Sequence, residues 1–292
     1  MGESRVSEFV VPELPEVETV RIGLNQVTLN QPIVGGEILL ERTIANPTPT
    51  EFLNHLETVS ITQWHRYGKY LLAELSSGWL GVHLRMTGQL LWMNQGEPLQ
   101  KHTRVRLFFP DDRELRFVDQ RTFGQMWFVP SDRDPKTIIT GLQNLGHEPF
   151  SDEFSDAYFF EQLKHRKRPI KNALLDQALV AGVGNIYADE ALFLSGIHPQ
   201  TLCTEIDRAQ AKRLRANVIR VLQDSIAARG TSFSDFRDVS GVNGNYGGIA
   251  WVYGRDGEGC RTCETVIDRV KLAGRSAHFC PTCQPKKKSR KN

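Results

Sequence analysis

Apolar positions recur at two different periods along this chain, and the changes of period divide it. After Val11, the run Pro12-Glu13-Leu14-Pro15-Glu16-Val17-Glu18 leads into a stretch where Val17, Val20, Leu24 and Val27 share one helical face. Pro15 and the early glutamates suit a first helical turn. Proline lacks an N–H that this turn leaves unpaired anyway, and the carboxylates meet the positive end of the helix dipole. From about residue 33 to 129 the pattern becomes strand-like. Residues 61–64, 70–75, 79–84, 89–93, 105–109, 114–118 and 125–129 are short runs broken by Gly, Asp or Pro. Strands this closely spaced predict an antiparallel sandwich or barrel.

Beyond Pro149 the period is helical again. Helices are expected over 151–165, 169–176, 185–195 and 207–228, with Asp207 as an N-cap and Gly230 as a C-terminal stop. Residues 241–248 hold four glycines in eight positions and read as a mobile loop. Residues 260–283 form a separate small unit, and no internal repeat is present.

Composition changes this picture little. A chain of 292 residues favours two or more domains over one core. The net charge of +2 says nothing of nucleic acid, because acidic residues elsewhere mask a basic face. Basic residues cluster at 164–171 and in the tail 286–291. No apolar run approaches the roughly 18–20 residues that span a bilayer. The opening MGESRVSEFVV has no long apolar segment and no small-residue cleavage site, so it does not read as a signal peptide. No membrane role and a cytoplasmic location are expected.

The five cysteines are informative. Cys203 stands alone and reads as a small buried apolar residue. Cys260 and Cys263 form one Cys-x2-Cys knuckle, Cys280 and Cys283 a second, with sixteen residues between. This is zinc-ribbon spacing. Four thiolates close the tetrahedron and leave no vacant position for water, so a structural rather than a catalytic zinc is expected. Residues 268–278 suit a β-hairpin between the knuckles. It presents Arg275 either to a phosphate or simply to solvent.

Val11-Pro-Glu-Leu-Pro-Glu-Val-Glu18 resembles the opening of the formamidopyrimidine-DNA glycosylase family, where Met-Pro-Glu-Leu-Pro-Glu-Val-Glu is processed to expose the proline. Further segments carry the resemblance: Gly68-Lys69-Tyr70, a lysine-bearing strand; His83-Leu-Arg-Met86-Thr-Gly, a loop with an inserting methionine; Asp119-Gln-Arg121-Thr-Phe123-Gly; and Gly182-Val-Gly-Asn185-Ile-Tyr-Ala-Asp-Glu, a helix–two-turn–helix. The four cysteines and Arg275 match the zinc finger, so the likeness covers roughly 12–284. It implies an α+β multidomain fold. A β-sandwich with a leading helix would occupy 12–148, a helix–two-turn–helix domain with a lesion-capping loop 149–248, and a zinc finger 249–284. A basic disordered tail would fill 285–292, with 1–11 an extension outside the family pattern.

The resemblance implies a bifunctional glycosylase and abasic-site lyase that excises oxidised purines by β,δ-elimination. The residues make that chemistry intelligible. A free N-terminal Pro12 is a secondary amine, and an α-amino group titrates at about 7.7–8, against about 10.4 for lysine. It is thus partly neutral and nucleophilic near neutral pH. Attack at the sugar's anomeric carbon gives an iminium with no N–H proton to lose, which remains an electron sink for elimination. Glu13 is implied as the general acid, Lys69 and Arg275 as proton donor or phosphate clamp. Arginine is rarely deprotonated, so Arg275 suits electrostatic stabilisation. As written, eleven residues precede Pro12 and make its nitrogen a tertiary amide. Val11 is therefore taken as the initiator, read from a GUG codon and then trimmed.

The expected partner is double-stranded DNA containing a damaged base, bound by a monomer. Met86, Arg121 and Phe123 are the candidates for filling the gap left by an extruded base. Asn185, opening a helix after Gly-Val-Gly, suits a phosphate at a helix N-terminus. Arg166, Lys171 and His102 are further phosphate contacts. Residues 239–248 depart from the lysine-containing loop of some bacterial members, so lesion preference is less defined than reaction type. An endonuclease VIII-type enzyme, which prefers oxidised pyrimidines, usually opens Pro-Glu-Gly-Pro. A non-catalytic lesion-binding protein would keep a blocked Pro12.

Overall fold

The computed structural model describes residues 11–231 and 236–286. The extension and nearly all of the basic tail lie outside them. The first helix, α1 (Leu14–Val27), begins where proline and a capping interaction allow. The Glu13 N–H donates to Glu16 Oε2 at 2.8 Å, satisfying an amide that the helix itself cannot pair. Val17, Val20 and Leu24 are buried, as their spacing requires.

Then follow β1 (Gly35–Ile38), β2 (Ile44–Asn46), α2 (Pro49–Leu56), β3 (Ile61–Tyr67), β4 (Tyr70–Leu75), β5 (Gly78–His83), β6 (Gly88–Asn94), β7 (Thr103–Phe109), β8 (Arg113–Asp119) and β9 (Gln125–Pro130). Two sheets form, ordered β1-β7-β8-β6 and β2-β9-β5-β4-β3, so the architecture is a sandwich. All pairs are antiparallel except β2 with β9. Strand β7 alternates buried and half-buried residues, which puts Thr103, Val105, Leu107 and Phe109 inward. Strands β4 and β5 are buried on both faces, because Ile139 and Leu142 cover the outer side around Leu72 and Trp127.

Helix α2 lies in a region that the periodicity assigned to strands. Its local chemistry overrides that reading. Pro49 opens it, Thr48 Oγ1 accepts the Glu51 N–H, and the Glu51 carboxylate accepts the Thr48 N–H. This is a capping box around only two buried residues, Phe52 and Leu56.

The second half contains α3 (Pro135–Ile138), α4 (Asp156–Lys164), α5 (Ile170–Leu174), α6 (Asn185–Ser195) and α7 (Arg208–Ala227). Helix α4 starts five residues later than the periodicity suggests, because Ser155 is the residue whose hydroxyl caps it, on the Tyr158 N–H. Asp207 caps α7 through the Gln210 N–H at 2.8 Å. Cys203 is buried in this helical core.

The two cores interlock. Leu14 packs into the helical core, while the rest of α1 packs into the sandwich. In return Phe236 and Val239, which follow α7, sit in the sandwich core. Gly23 permits this: a Cβ there would lie 2.5 Å from Val239 Cγ2. No helix among the described residues is long and apolar enough to cross a membrane.

The C-terminal hairpin joins β10 (Asp268–Leu272) to β11 (Arg275–Phe279) through Ala273 and Gly274, both at positive φ. A buried charge network docks it. Lys171 Nζ pairs with Asp189 Oδ1 at 2.7 Å and donates to the Ser276 carbonyl, beside Arg275. Asp189 Oδ2 accepts the His278 N–H at 2.9 Å. Lys171, expected at a phosphate, is wholly buried here and pairs with Asp189 instead of standing on the surface. A basic run in sequence does not reveal which of its members turns inward toward a carboxylate.

Removing one partner of a buried ion pair strands the other charge in a medium that solvates it poorly. Asp189→Asn should therefore lower the unfolding free energy by about 3–5 kcal/mol, read by urea denaturation. An unchanged midpoint would show that the network does not hold the hairpin.

Candidate active site

The segment Gly182-Val183-Gly184 leads into α6 and receives the residues at the start of α1. The Leu14 N–H donates to the Gly182 carbonyl at 3.0 Å. Glu13 Oε1 accepts the Ile186 N–H at 2.9 Å, in the first turn of α6. The close approach depends on glycine: a Cβ on Gly184 would lie 2.3 Å from Glu13 Cδ. The anion at this helix N-terminus is thus the Glu13 carboxylate. Beside the Asn185 side chain expected to meet a phosphate, the backbone of this turn seats an internal carboxylate by the same physics.

Glu13 is buried, and its second oxygen, Oε2, has no protein partner. Burial pushes the carboxyl above the usual carboxylate range. The Lys69 charge and the backbone N–H groups of Ile186, Tyr187 and Gly184 pull the other way. Lys69 sits in the two-residue turn between β3 and β4, after Gly68 at φ +56, rather than within a strand. Burial lowers its ammonium below the ordinary lysine value, with Glu13 opposing that and Arg275 adding to it. Arg275 opens β11 at the hairpin tip and is exposed. Glu13, Lys69 and Arg275, far apart in sequence, therefore share one electrostatic site, with Pro12 adjoining Glu13.

Beneath them lies a group that the sequence reading used only as a helix-start signal. Glu16 Oε1 accepts the Tyr187 hydroxyl at 2.6 Å and the Thr231 N–H at 2.8 Å. Burial, then the neighbouring Glu13 charge, pushes its carboxyl up to about 7. The Glu-x-x-Glu spacing was the visible signal; its tertiary partners were not visible. His83 was also missed as a site neighbour. Its ring packs edge-on against Tyr70, and burial, Arg85 and Lys69 push it down to about 3, so it is neutral.

The expected DNA contacts divide. Met86 is half-buried, and Phe123 is 51% exposed with the Arg121 guanidinium 5.2 Å above its ring. A large exposed aromatic beside a cation is not a core residue. Asn185 begins α6, and its buried Oδ1 has no protein partner. His102 lies before β7, its Nδ1 3.1 Å from the Arg104 guanidinium. Arg166 is turned toward its own domain: it donates to the Gln162 carbonyl at 2.6 Å and lies 3.9 Å from Asp176. Residues 241–248 are anchored in part, because Tyr246 is buried and its N–H donates to the Gly230 carbonyl.

The four cysteine Sγ atoms lie within 4.8 Å of one another. Four thiolates at that spacing fit one tetrahedral zinc with bonds of about 2.3 Å, and the Thr262 and Cys283 N–H groups donate to knuckle sulfurs. The centre is a structural zinc site.

The sequence profile of the formamidopyrimidine-DNA glycosylase N-terminal domain matches residues 11–126, and that family's H2TH domain matches 145–237. A zinc finger found in FPG and IleRS matches 257–286. A formamidopyrimidine-DNA glycosylase of Acaryochloris marina is 65% identical over 282 residues, covering 94% of this chain and 99% of that protein. One from a Nostoc species is 62% identical, covering 94% and 100%. Among solved structures, a Lactococcus lactis Fpg variant in complex with Fapy-dG-containing DNA superposes with a TM-score of 0.88 at 35% identity, covering 94% of this chain and all of that one. The Lactococcus lactis Fpg complex with abasic-site DNA gives 0.87 at 34%, with the same coverage. With its domains matched in order and near-complete relatives this similar, the chain belongs to the formamidopyrimidine-DNA glycosylase family.

Proposed function

We propose that Pro12, Glu13, Lys69 and Arg275 carry out excision of 8-oxoguanine and formamidopyrimidines from double-stranded DNA, followed by cleavage of the strand. The chain is a DNA glycosylase of base excision repair. The observation that supports these roles most is the convergence of Glu13, Lys69 and Arg275 on one site beside Pro12. The Pro12 nitrogen attacks the anomeric carbon, and the glycosidic electron pair leaves with the base, which takes up the proton that the nitrogen sheds. Glu13, its proton affinity raised by burial, delivers a proton from Oε2 to the sugar oxygen as the ring opens. The iminium then withdraws electrons while a proton leaves C2′ and the 3′ phosphate departs; a second elimination releases the 5′ phosphate. Lys69, with its lowered proton affinity, exchanges protons in these steps. Arg275 stabilises the departing phosphate as a fixed cation. Zinc, bound by four thiolates, supplies structural cross-linking of the hairpin that carries Arg275.

Met86, Arg121 and Phe123 fill the gap left by the extruded base, while His102 and Asn185 contact phosphates. The enzyme works as a monomer on nucleoid DNA in the cytoplasm. Val11 is the initiator, which leaves Pro12 as a free secondary amine after trimming. The family profile begins at residue 11, which supports this start.

Borohydride should trap a covalent adduct with abasic DNA only in protein whose intact mass begins at Pro12. Active protein that retains residues 1–11 would overturn the proline mechanism. Glu13→Gln, which cannot donate a proton, should slow excision by about 10²–10⁴-fold. In the unsubstituted enzyme, activity should fall as pH rises through the raised Glu13 value, since the acid form is then lost; that limb should be missing in the Gln variant. Oxidised purines should be excised faster than oxidised pyrimidines. The pyrimidine reading is worth measuring because Lactococcus lactis Fpg has been solved with an oxidised-pyrimidine DNA.

A further inference from the structure

We infer that Asp119 and Thr87 are positioning residues that bind two separate loops into one wedge, the body that enters the duplex. The inference rests on the reading of Met86, Arg121 and Phe123 as gap-filling residues. Met86 lies in the loop between β5 and β6. Arg121 and Phe123 lie in the loop between β8 and β9. Nothing in either loop's own sequence ties it to the other.

One buried carboxylate does so. Asp119 ends β8 and is 1% exposed. Its Oδ1 accepts the Thr87 hydroxyl and, at 3.2 Å, the Arg121 N–H. Its Oδ2 accepts the Gly124 N–H at 2.7 Å. The Thr87 hydroxyl oxygen also accepts the Arg121 N–H at 2.9 Å. Thr87 thus adjoins Met86 in the chain and holds the amide of Arg121 across the gap. A further link runs from the Arg85 guanidinium to Gln125 Oε1 at 3.1 Å. Each loop also contains a non-glycine residue in the left-handed region, Arg85 at φ +55 and Thr122 at φ +59. For a β-branched residue such as Thr122 this conformation is strained, and it persists only when surrounding bonds hold it. The Asp119 network supplies those bonds.

The same residue reaches the expected phosphate contact. The Asp119 N–H donates to the His102 carbonyl at 2.9 Å, and the Arg104 guanidinium donates to the Asp119 carbonyl at 2.8 Å. Wedge and phosphate contact are therefore held in one register. Insertion between stacked bases opposes the stacking energy of the duplex. Two independent loops would also lose conformational freedom on entry; loops already tied together have lost it on folding. Asp119 and Thr87 touch neither the base nor the sugar, and they act through Met86, Arg121 and Phe123.

The test compares single-turnover excision from an ordinary duplex with excision of the same lesion inside an unpaired bubble, where the unstacking has been done in advance. Thr87→Val keeps the branched shape and removes the hydroxyl. It should slow excision from the duplex by about tenfold, the weight of one hydrogen bond to a charged group. On the bubble it should recover most of the wild-type rate. Thr87→Ser should restore the duplex rate, and Asp119→Asn should repeat the Val pattern more strongly if it folds. Equal slowing of Thr87→Val on both substrates, or none on either, would overturn the inference. Met86→Ala separates the two levels. If it shows the duplex-specific defect and Thr87→Val does not, the coupling alone fails. If it shows none, the gap-filling reading fails and takes the coupling with it.

Discussion

Everything near the reacting centre depends on a carboxylate seated at the N-terminus of a buried helix. Glu13 meets the first turn of α6 where peptide N–H groups lack helical partners, and it accepts the Ile186 N–H. That contact brings the start of α1 against the helical domain. Leu14 can then pack into one core while Val17 and Val20 pack into the other. Desolvation raises the carboxyl's proton affinity, and the helix end and Lys69 limit the rise. The same burial thus accompanies the placing of Glu13 and raises its proton affinity, as the proposed acid role requires.

Helix α6 extends that arrangement across the molecule. Ile186 holds Glu13, Tyr187 holds Glu16, and Asp189 holds Lys171 together with the β11 backbone. Glu190 accepts the N–H groups of Trp251, Val252 and Tyr253, where the chain leaves the helical domain. Residues within one and a half helical turns therefore fix the start of α1, the zinc hairpin and the segment that leads to it. A helix offers constant spacing, so these attachments cannot drift relative to one another. Arg275 reaches the site because the hairpin that carries it is docked on this frame through Asp189.

Legibility from sequence differed among residues for physical reasons. The four cysteines were readable because metal chelation by two knuckles requires short, fixed spacing in the chain itself. The strands were readable because each must alternate or be apolar on both faces. Lys171 belongs to a basic run, and only the fold shows its pairing with Asp189. The Gly-Val-Gly segment signals an anion at a helix N-terminus, and only the fold shows that Glu13 is seated there. Arg166 likewise has a partner in Asp176 that no local pattern indicates. Asp119 was noted as part of a motif, and its three loop contacts emerged only in the fold.

The sequence by itself determined the order of elements, the zinc ligands, the start of α1 and the set of residue types able to perform the chemistry. These follow from local rules: periodicity, capping and ligand spacing act over a few residues. The tertiary structure decided which charges are buried, which carboxyls have a raised proton affinity, and which side chains face one another across tens or hundreds of residues. Desolvation and pairing are properties of the packed surroundings, so Glu13, Lys69 and Arg275 acquire their shared electrostatics only when three distant segments close around α6.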